Sequence, residues 1–164
     1  MATTGKNLSE YDKSALPFAE GLRIGIVVSE WNASITENLF QGALQTLLEI
    51  GIARNNIVRL NVPGSFELIY GSRWLATHEN LGAVVALGSV IRGETPHFDY
   101  VCSAVAQGIK DLNLQLDIPV IFGLLTDDNE QQALDRSGGK HGNKGVECAV
   151  AAVKMARLQI KPKN

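Results

Sequence analysis

Cysteine is scarce: Cys102 and Cys148 are the two in 164 residues. Two thiols cannot make a disulfide framework or, by themselves, a structural zinc site. Charge of one sign is also missing, since 15 Lys plus Arg face 17 Asp plus Glu for a formal net charge of −2, and no stretch is strongly basic. Nucleic-acid binders carry a basic footprint, so no nucleic-acid partner is expected. No apolar run approaches the ~18 residues of a membrane span. Residues 1–14 are polar and lack the apolar stretch of a signal peptide. These absences together predict a cytoplasmic protein of a reducing compartment, with no membrane partner.

Several chemical signatures are absent as well. No GxGxxG follows the first strand-like run, and no GxSxG nucleophile elbow occurs. The nearest thing to a phosphate loop is Gly88-Ser-Val-Ile-Arg-Gly93-Glu-Thr95, which has Glu94 where a P-loop needs lysine. The three histidines, His78, His97 and His141, have no metal-ligand spacing, so no metal is expected.

What is present is a chain with 45% hydrophobic and 20% charged residues, a composition that fits one globular domain. Residues 1–21 have no period and read as an arm, leaving residues 22–160 as a single domain. Residues 22–28 form a short β-branched run suited to a strand buried on both faces. From Ser34 the spacing turns helical, with Ile35, Leu39, Ala43, Leu47 and Ile50 on one stripe. Ser34 and Glu37 make a capping-box pattern and Gly51 a stop. Strand 57–62, helix 65–78, strand 82–91 and helix 95–114 follow, the last with Thr95 as N-cap and Pro96 in its first position. Strand 120–125, a short helix 129–136, a loop 137–145 and helix 146–158 complete the chain. The last helix places Val146, Ala149, Val150, Val153 and Leu158 on one side.

β-α repeated four times, with buried-type strands, predicts an α/β fold: a four-stranded parallel sheet between two helical layers. Such sheets bind ligands outside the carboxyl ends of their strands, which directs attention to residues 29–32, 63–67, 89–97 and 123–127. His97 opens a helix at such an end, where free N–H groups favour an anion and a histidine suits proton transfer. A surface histidine in a first helical turn is the plainer reading. Trp31 could stack on a flat heterocycle or merely cover a sheet edge. Phe122, in mid-strand, is core by default. Glu67 suits either a helix dipole or the hydrogen-bonding edge of a ligand. Arg136 suits either a helix C-terminus or a phosphate. Lys140 and Lys144 lie in a glycine-rich stretch that is either an anion loop or a solvated turn. Both cysteines read as small core residues.

Five segments then carry a resemblance: Glu30-Trp-Asn32, Val62-Pro-Gly-Ser-Phe-Glu-Leu68, Ala86-Leu-Gly-Ser-Val-Ile-Arg-Gly-Glu-Thr-Pro-His-Phe-Asp-Tyr100, Phe122-Gly-Leu-Leu-Thr126 and Glu130-Gln-Gln-Ala-Leu-Asp-Arg-Ser-Gly-Gly-Lys-His-Gly-Asn-Lys-Gly145. In order and spacing, over about residues 20–158, they resemble the 6,7-dimethyl-8-ribityllumazine synthase family of riboflavin biosynthesis, whose fold is flavodoxin-like. The resemblance implies condensation of 5-amino-6-(D-ribitylamino)uracil with 3,4-dihydroxy-2-butanone 4-phosphate, without organic cofactor or metal. Carried over by position, Trp31 stacks on the pyrimidine ring, where many relatives have Phe. Ser65, Phe66 and Glu67 hold the ribityl chain and neighbouring polar atoms. Ser89, Val90 and Ile91 present backbone groups to the uracil edge. Phe122 closes the ring pocket from a neighbouring subunit. Glu94, Thr95 and Arg136 bind the phosphate, Arg136 also from the neighbour. Position 94 is often small in the family, so the Glu94 carboxylate is expected to point away while its backbone contributes. His97 is the proton-transfer residue. The resemblance also implies a homo-pentamer whose N-terminal arm joins a neighbour's sheet, and the short stretch 137–145 leaves a 60-subunit shell open. Two other readings explain part of the pattern: a flavin-binding flavodoxin-like module, and a shell protein that has lost catalysis.

Overall fold

The computed structural model of the chain describes residues 7, 9–16, 19 and 21–159. Four strands, β1 (Ile24–Ser29), β2 (Ile57–Val62), β3 (Ala83–Ile91) and β4 (Val120–Asp127), form one sheet in the order β2-β1-β3-β4. Every pairing is parallel, with Ile24 opposite both Ile57 and Ala83, and Val84 opposite Val120. The central strands are the most apolar because both their faces are covered: all six residues of β1 are buried.

Helices α1 (Ala33–Ile50) and α5 (Lys144–Ala156) cover one face, where Ile26, Val28, Leu39, Leu47, Val85 and Val153 share a core. Helices α2 (Leu68–His78) and α3 (His97–Gln115) cover the other, over Val27, Leu68, Leu75, Val84, Val105 and Leu124. The short α4 (Glu130–Arg136) follows β4, capped by the Asn129 side chain, which accepts from the Gln132 N–H at 3.0 Å. This is the expected three-layer α/β sandwich. No helix among the described residues is long and apolar enough to cross a membrane.

Several local expectations need correction. The Ser34–Glu37 capping box does not form. Helix α1 begins at Ala33, with Asn32 at the N-cap in left-handed conformation (φ 57°, ψ 48°) and no side-chain cap bond. Glu37 pairs instead with Arg59 across to β2, at 2.8 Å. Thr95 is not an N-cap either: α3 starts at His97, with Pro96 in the cap position. Helix α2 starts three residues later than expected, at Leu68, because 65–67 form a turn. Strand β4 runs two residues further, to Asp127.

The expected loop 137–145 is a small antiparallel hairpin, β5 (Ser137–Gly139) with β6 (Gly142–Asn143), leading directly into α5. The start of α5 is fixed by Asn143, whose side-chain oxygen accepts from the Gly145 N–H at 2.8 Å. Its buried face is also rotated from the expected one: Gly145, Cys148, Ala149, Ala152, Val153 and Ala156 face inward, while Leu158 is 73% exposed. Small residues face α1 because the two helices approach closely. A Cβ on Gly145 would lie within 1.9 Å of the Leu39 carbonyl oxygen.

Cys148 is buried as expected, whereas Cys102 is only half-buried. The arm expected over 1–21 falls partly outside the described residues. Its described part lies against the chain's own α1 and hairpin, through Tyr11 to Glu49 at 3.4 Å and Ser9 to the Asn143 backbone.

Candidate functional site

The strand order reverses direction between β1 and β3, and parallel sheets open a crevice at such a point, outside the strand ends. A cleft of about 550 Å³ sits there, lined by Trp31, Asn32, Gly64, Ser65, Phe66, Glu67, Ser89, Val90, Ile91, His97 and Val101. That size accommodates a small organic molecule. Eight sequence-predicted residues therefore meet in one place: Trp31, Ser65, Phe66, Glu67, Ser89, Val90, Ile91 and His97.

The loops are held by backbone bonds that extend the sheet. Glu30 N–H donates to Val62 O at 2.9 Å and Trp31 N–H to Pro63 O at 3.3 Å. This places the indole beside the 63–67 turn, 73% exposed at the mouth of the cleft. The Glu67 carboxylate folds back over Gly64. A Cβ there would come within 2.9 Å of Glu67 Oε2 and 3.4 Å of Trp31 Cδ1, so the bare backbone brings both side chains together. Phe66, 55% exposed, forms another wall.

Two hydroxyls on the floor stand out. Ser65 and Ser89 are 7% and 2% exposed, and neither Oγ has a hydrogen-bond partner. A buried hydroxyl without a partner costs about 1–3 kcal/mol, so two of them in one ligand-sized cleft form a polar patch suited to a ligand's polar atoms.

Asn32, Gly64 and Val101 also line the cleft; the first two fall in the strand-end stretches singled out above but were given no role, and Val101 was missed. Asn32 donates from Nδ2 to the Ser89 carbonyl at 3.0 Å, tying the β1–α1 turn to the end of β3. An Asn directly after a strand and before a helix is the signal that could have found it, because asparagine tolerates the left-handed conformation. Val101 lies one helical turn after His97 on α3, the i+4 position that shares its face.

Glu94 and Thr95 lie on the exposed β3–α3 loop rather than on the cleft wall. That loop is framed by Arg92, which donates to both Asp99 oxygens (3.2 and 3.1 Å) and through Nε to Asp128 (2.9 Å), with its guanidinium over the Phe98 ring at 4.1 Å. The two carboxylates hold the Arg92 pKa above its ordinary value. They also engage all three of its nitrogens, and two carboxylates against one guanidinium leave no positive charge there for an anion.

Phe122 and Arg136 are not part of this cleft. Phe122 is 39% exposed on edge strand β4 rather than core, and its carbonyl accepts from the Cys148 thiol at 3.7 Å. Arg136 ends α4 and bonds to Glu147 and to the His141 carbonyl. Lys140 pairs with Asp135 (2.9 Å) and Lys144 with Glu147 (3.1 Å), so the glycine-rich stretch is cross-linked by ion pairs rather than simply solvated. Burial raises the Asp127 pKa at the end of β4, against the pull of Arg136.

The family model of 6,7-dimethyl-8-ribityllumazine synthase matches residues 21–159. Relatives bearing that name include a protein of Christiangramia forsetii, 62% identical over 160 residues that make up 97% of this chain and 95% of the relative. Another, from Flavobacterium johnsoniae, is 59% identical over 97% of this chain and 84% of its own length. A third, from Parabacteroides distasonis, is 59% identical over 96% of this chain and 99% of its own.

Proposed function

The chain belongs to the 6,7-dimethyl-8-ribityllumazine synthase family, and on that premise we propose how the cleft and its surroundings serve the reaction. The reaction is the transferase step that joins 5-amino-6-(D-ribitylamino)uracil to 3,4-dihydroxy-2-butanone 4-phosphate, giving the lumazine, phosphate and water.

The carrying observation is the pair of buried, unpartnered hydroxyls of Ser65 and Ser89 in the same cleft as Trp31 and His97. In this reading Trp31 stacks on the pyrimidine ring, and Ser89, Val90 and Ile91 meet its polar edge. Ser65, Phe66 and Glu67 take the ribityl chain. Glu94 and Thr95, with backbone groups at the start of α3, hold the phosphate together with the partner subunit's Arg136. The partner subunit's Phe122 closes the ring pocket. A site built across two subunits is supported by the placement of these last two residues, since both lie outside the chain's own cleft.

The chemistry asks little beyond position and protons. The amine adds to the ketone, the adduct loses water to an imine, phosphate leaves, and the ring closes with loss of a second water. Holding two reactants together supplies several kcal/mol by removing entropy from the barrier. His97, at the cleft wall, moves the protons.

Residues 22–160 are then the catalytic domain of a cytoplasmic enzyme, and residues 1–21 an arm that adds to a neighbour's sheet. Strand β2 is an edge of the sheet, open on its outer side among the described residues. A homo-pentamer is supported by the exposed aromatics Phe66 in the turn before α2, Tyr70 and Trp74 along α2, and Tyr100 on α3. Solution mass distinguishes a pentamer from a 60-mer.

The test is formation of fluorescent lumazine from both substrates against an enzyme-free blank, because amine and ketone also condense unaided. Saturation in both substrates above the blank upholds the reading, and a rate equal to the blank from folded protein overturns it. His97→Ala is expected to slow turnover by about 10²-fold while leaving measurable activity. A variant matching wild type removes the proton-transfer role.

A further inference from the structure

The first turn of α3 carries His97 yet has little of its own to hold it. Of residues 92–100, Phe98 alone is buried, and a single anchor leaves a turn free to rock about it. Pro96 stands in the cap position without a side-chain cap bond, and Gly93 has open space around it. The amides of Asp99 and Tyr100 donate to the Pro96 carbonyl at 3.0 and 3.4 Å. Those bonds are internal to the turn and do not tie it to the sheet.

Arg92 supplies the tie. Its backbone N–H donates to the Asp127 carbonyl at 2.9 Å, extending the β3–β4 ladder. Its side chain then turns back over the loop. Nη1 and Nη2 donate to the two Asp99 oxygens at 3.2 and 3.1 Å, and Nε donates to Asp128 at 2.9 Å. The guanidinium lies over the ring of the buried Phe98, at 4.1 Å. One side chain thus joins the end of β3, the first turn of α3 and the loop after β4.

The Asp99 and Asp128 side chains are 61% and 66% exposed, so water screens both pairs and they add little to global stability. A planar fork on a carboxylate still fixes direction as well as distance. The network is therefore better suited to setting geometry than to holding the fold. The geometry at stake is that of His97, two residues before Asp99 and on the cleft wall. A group that moves protons must lie within hydrogen-bond reach of them, and a misplacement of about 1 Å can cost about 10²-fold in rate.

We infer that Arg92 is a positioning residue that ties the first turn of α3 to the end of β4 and so sets where His97 meets the substrate. This rests on the proton-transfer role given to His97 above.

The test measures kcat, and KM for the uracil amine, at saturating phosphate substrate in wild type, Arg92→Ala, His97→Ala and the double variant. Arg92→Ala is expected to lower kcat about tenfold, the effect of a shift of about 0.5 Å on that scale. KM for the uracil amine stays within about twofold. In the His97→Ala background the same substitution changes kcat less than twofold, because no proton-transfer group is left to misplace. An unchanged kcat in Arg92→Ala, or a tenfold loss in both backgrounds, overturns the proposal. So does a KM that rises as much as kcat falls, which would mark a general disturbance of the cleft. Amide hydrogen exchange reads the same tie without turnover: exchange at Asp99 and Tyr100 quickens about fivefold in Arg92→Ala, while that of Val85 in the sheet is unchanged. Should wild type show no turnover, the reading of the reaction fails separately and exchange decides. Quickening confined to the first turn upholds the positioning role, and unchanged or molecule-wide quickening overturns it. If Arg92→Ala does not fold, Asp99→Ala replaces it, removing the forked arm of the tie and leaving Arg92 in place.

Discussion

Asn32 performs two separable tasks, and substitution can weigh them against each other. Its backbone sits in the left-handed region at φ 57° and ψ 48°, and its Nδ2 donates to the Ser89 carbonyl at 3.0 Å. Alanine loses the hydrogen bond, about 1 kcal/mol net, and adds left-handed strain of about 1 kcal/mol, for a total of about 2 kcal/mol. Glycine loses the same bond but has no strain, so its cost is about 1 kcal/mol. The expected order of stability is wild type, then Asn32→Gly, then Asn32→Ala. That places glycine above alanine next to a helix, the reverse of their order inside one. Urea denaturation at one fixed protein concentration reads the difference as a change of midpoint at constant slope. The tie to Ser89 is absent from both variants, so KM for the uracil amine should rise by a similar factor in each. Asn32→Ala matching or exceeding Asn32→Gly in stability would refute the account of strain.

Gly145→Ala pushes a Cβ to within 1.9 Å of the Leu39 carbonyl oxygen, so α1 and α5 must separate by about 1.5 Å to restore contact distance, at a cost of about 3 kcal/mol. Gly93 has open space around it, and Gly93→Ala should stay within about 0.5 kcal/mol of wild type; equal stability of the two variants in urea would falsify the close approach. The Cys148 thiol is pushed up by burial to about 12, from an ordinary 9.0. A raised folded pKa contributes stability that is whole below the unfolded value and is lost as pH rises from 9.0 toward 12. The urea midpoint of wild type should therefore fall more steeply over that window than that of Cys148→Ala, and parallel curves would show that the thiol is not buried.

The sheet and its helices were legible in the sequence because burial on both faces leaves apolar runs no alternative: strand 57–62 falls where the pattern puts it, and β3 begins one residue later than expected. Helix starts were less legible. Ser34 and Thr95 have the chemistry of caps, but whether a hydroxyl caps depends on backbone angles set by what the preceding turn must reach. In the first case that turn is bent by Asn32 reaching across to Ser89. The inward face of α5 was misjudged because a large-residue stripe was sought where close approach to α1 selects Gly145, Ala149 and Ala152. The cleft was legible as strand ends, and its loops carry the family's motifs. The ion pairs around Glu147 were not, because α4, the hairpin and α5 meet only once the chain has folded.

The two indoles give the molecule a built-in optical comparison. Trp31 faces solvent at the mouth of the cleft, where its emission is that of a hydrated indole and a stacked heterocycle would quench it. Trp74, on α2, is stacked on His78 with ring centroids 4.7 Å apart and planes 10° from parallel, and takes no part in lining the cleft. Occupancy can thus be followed in unlabelled protein as the loss of one red-shifted emitter against another that remains, with Trp31→Phe supplying the spectrum of the reference alone.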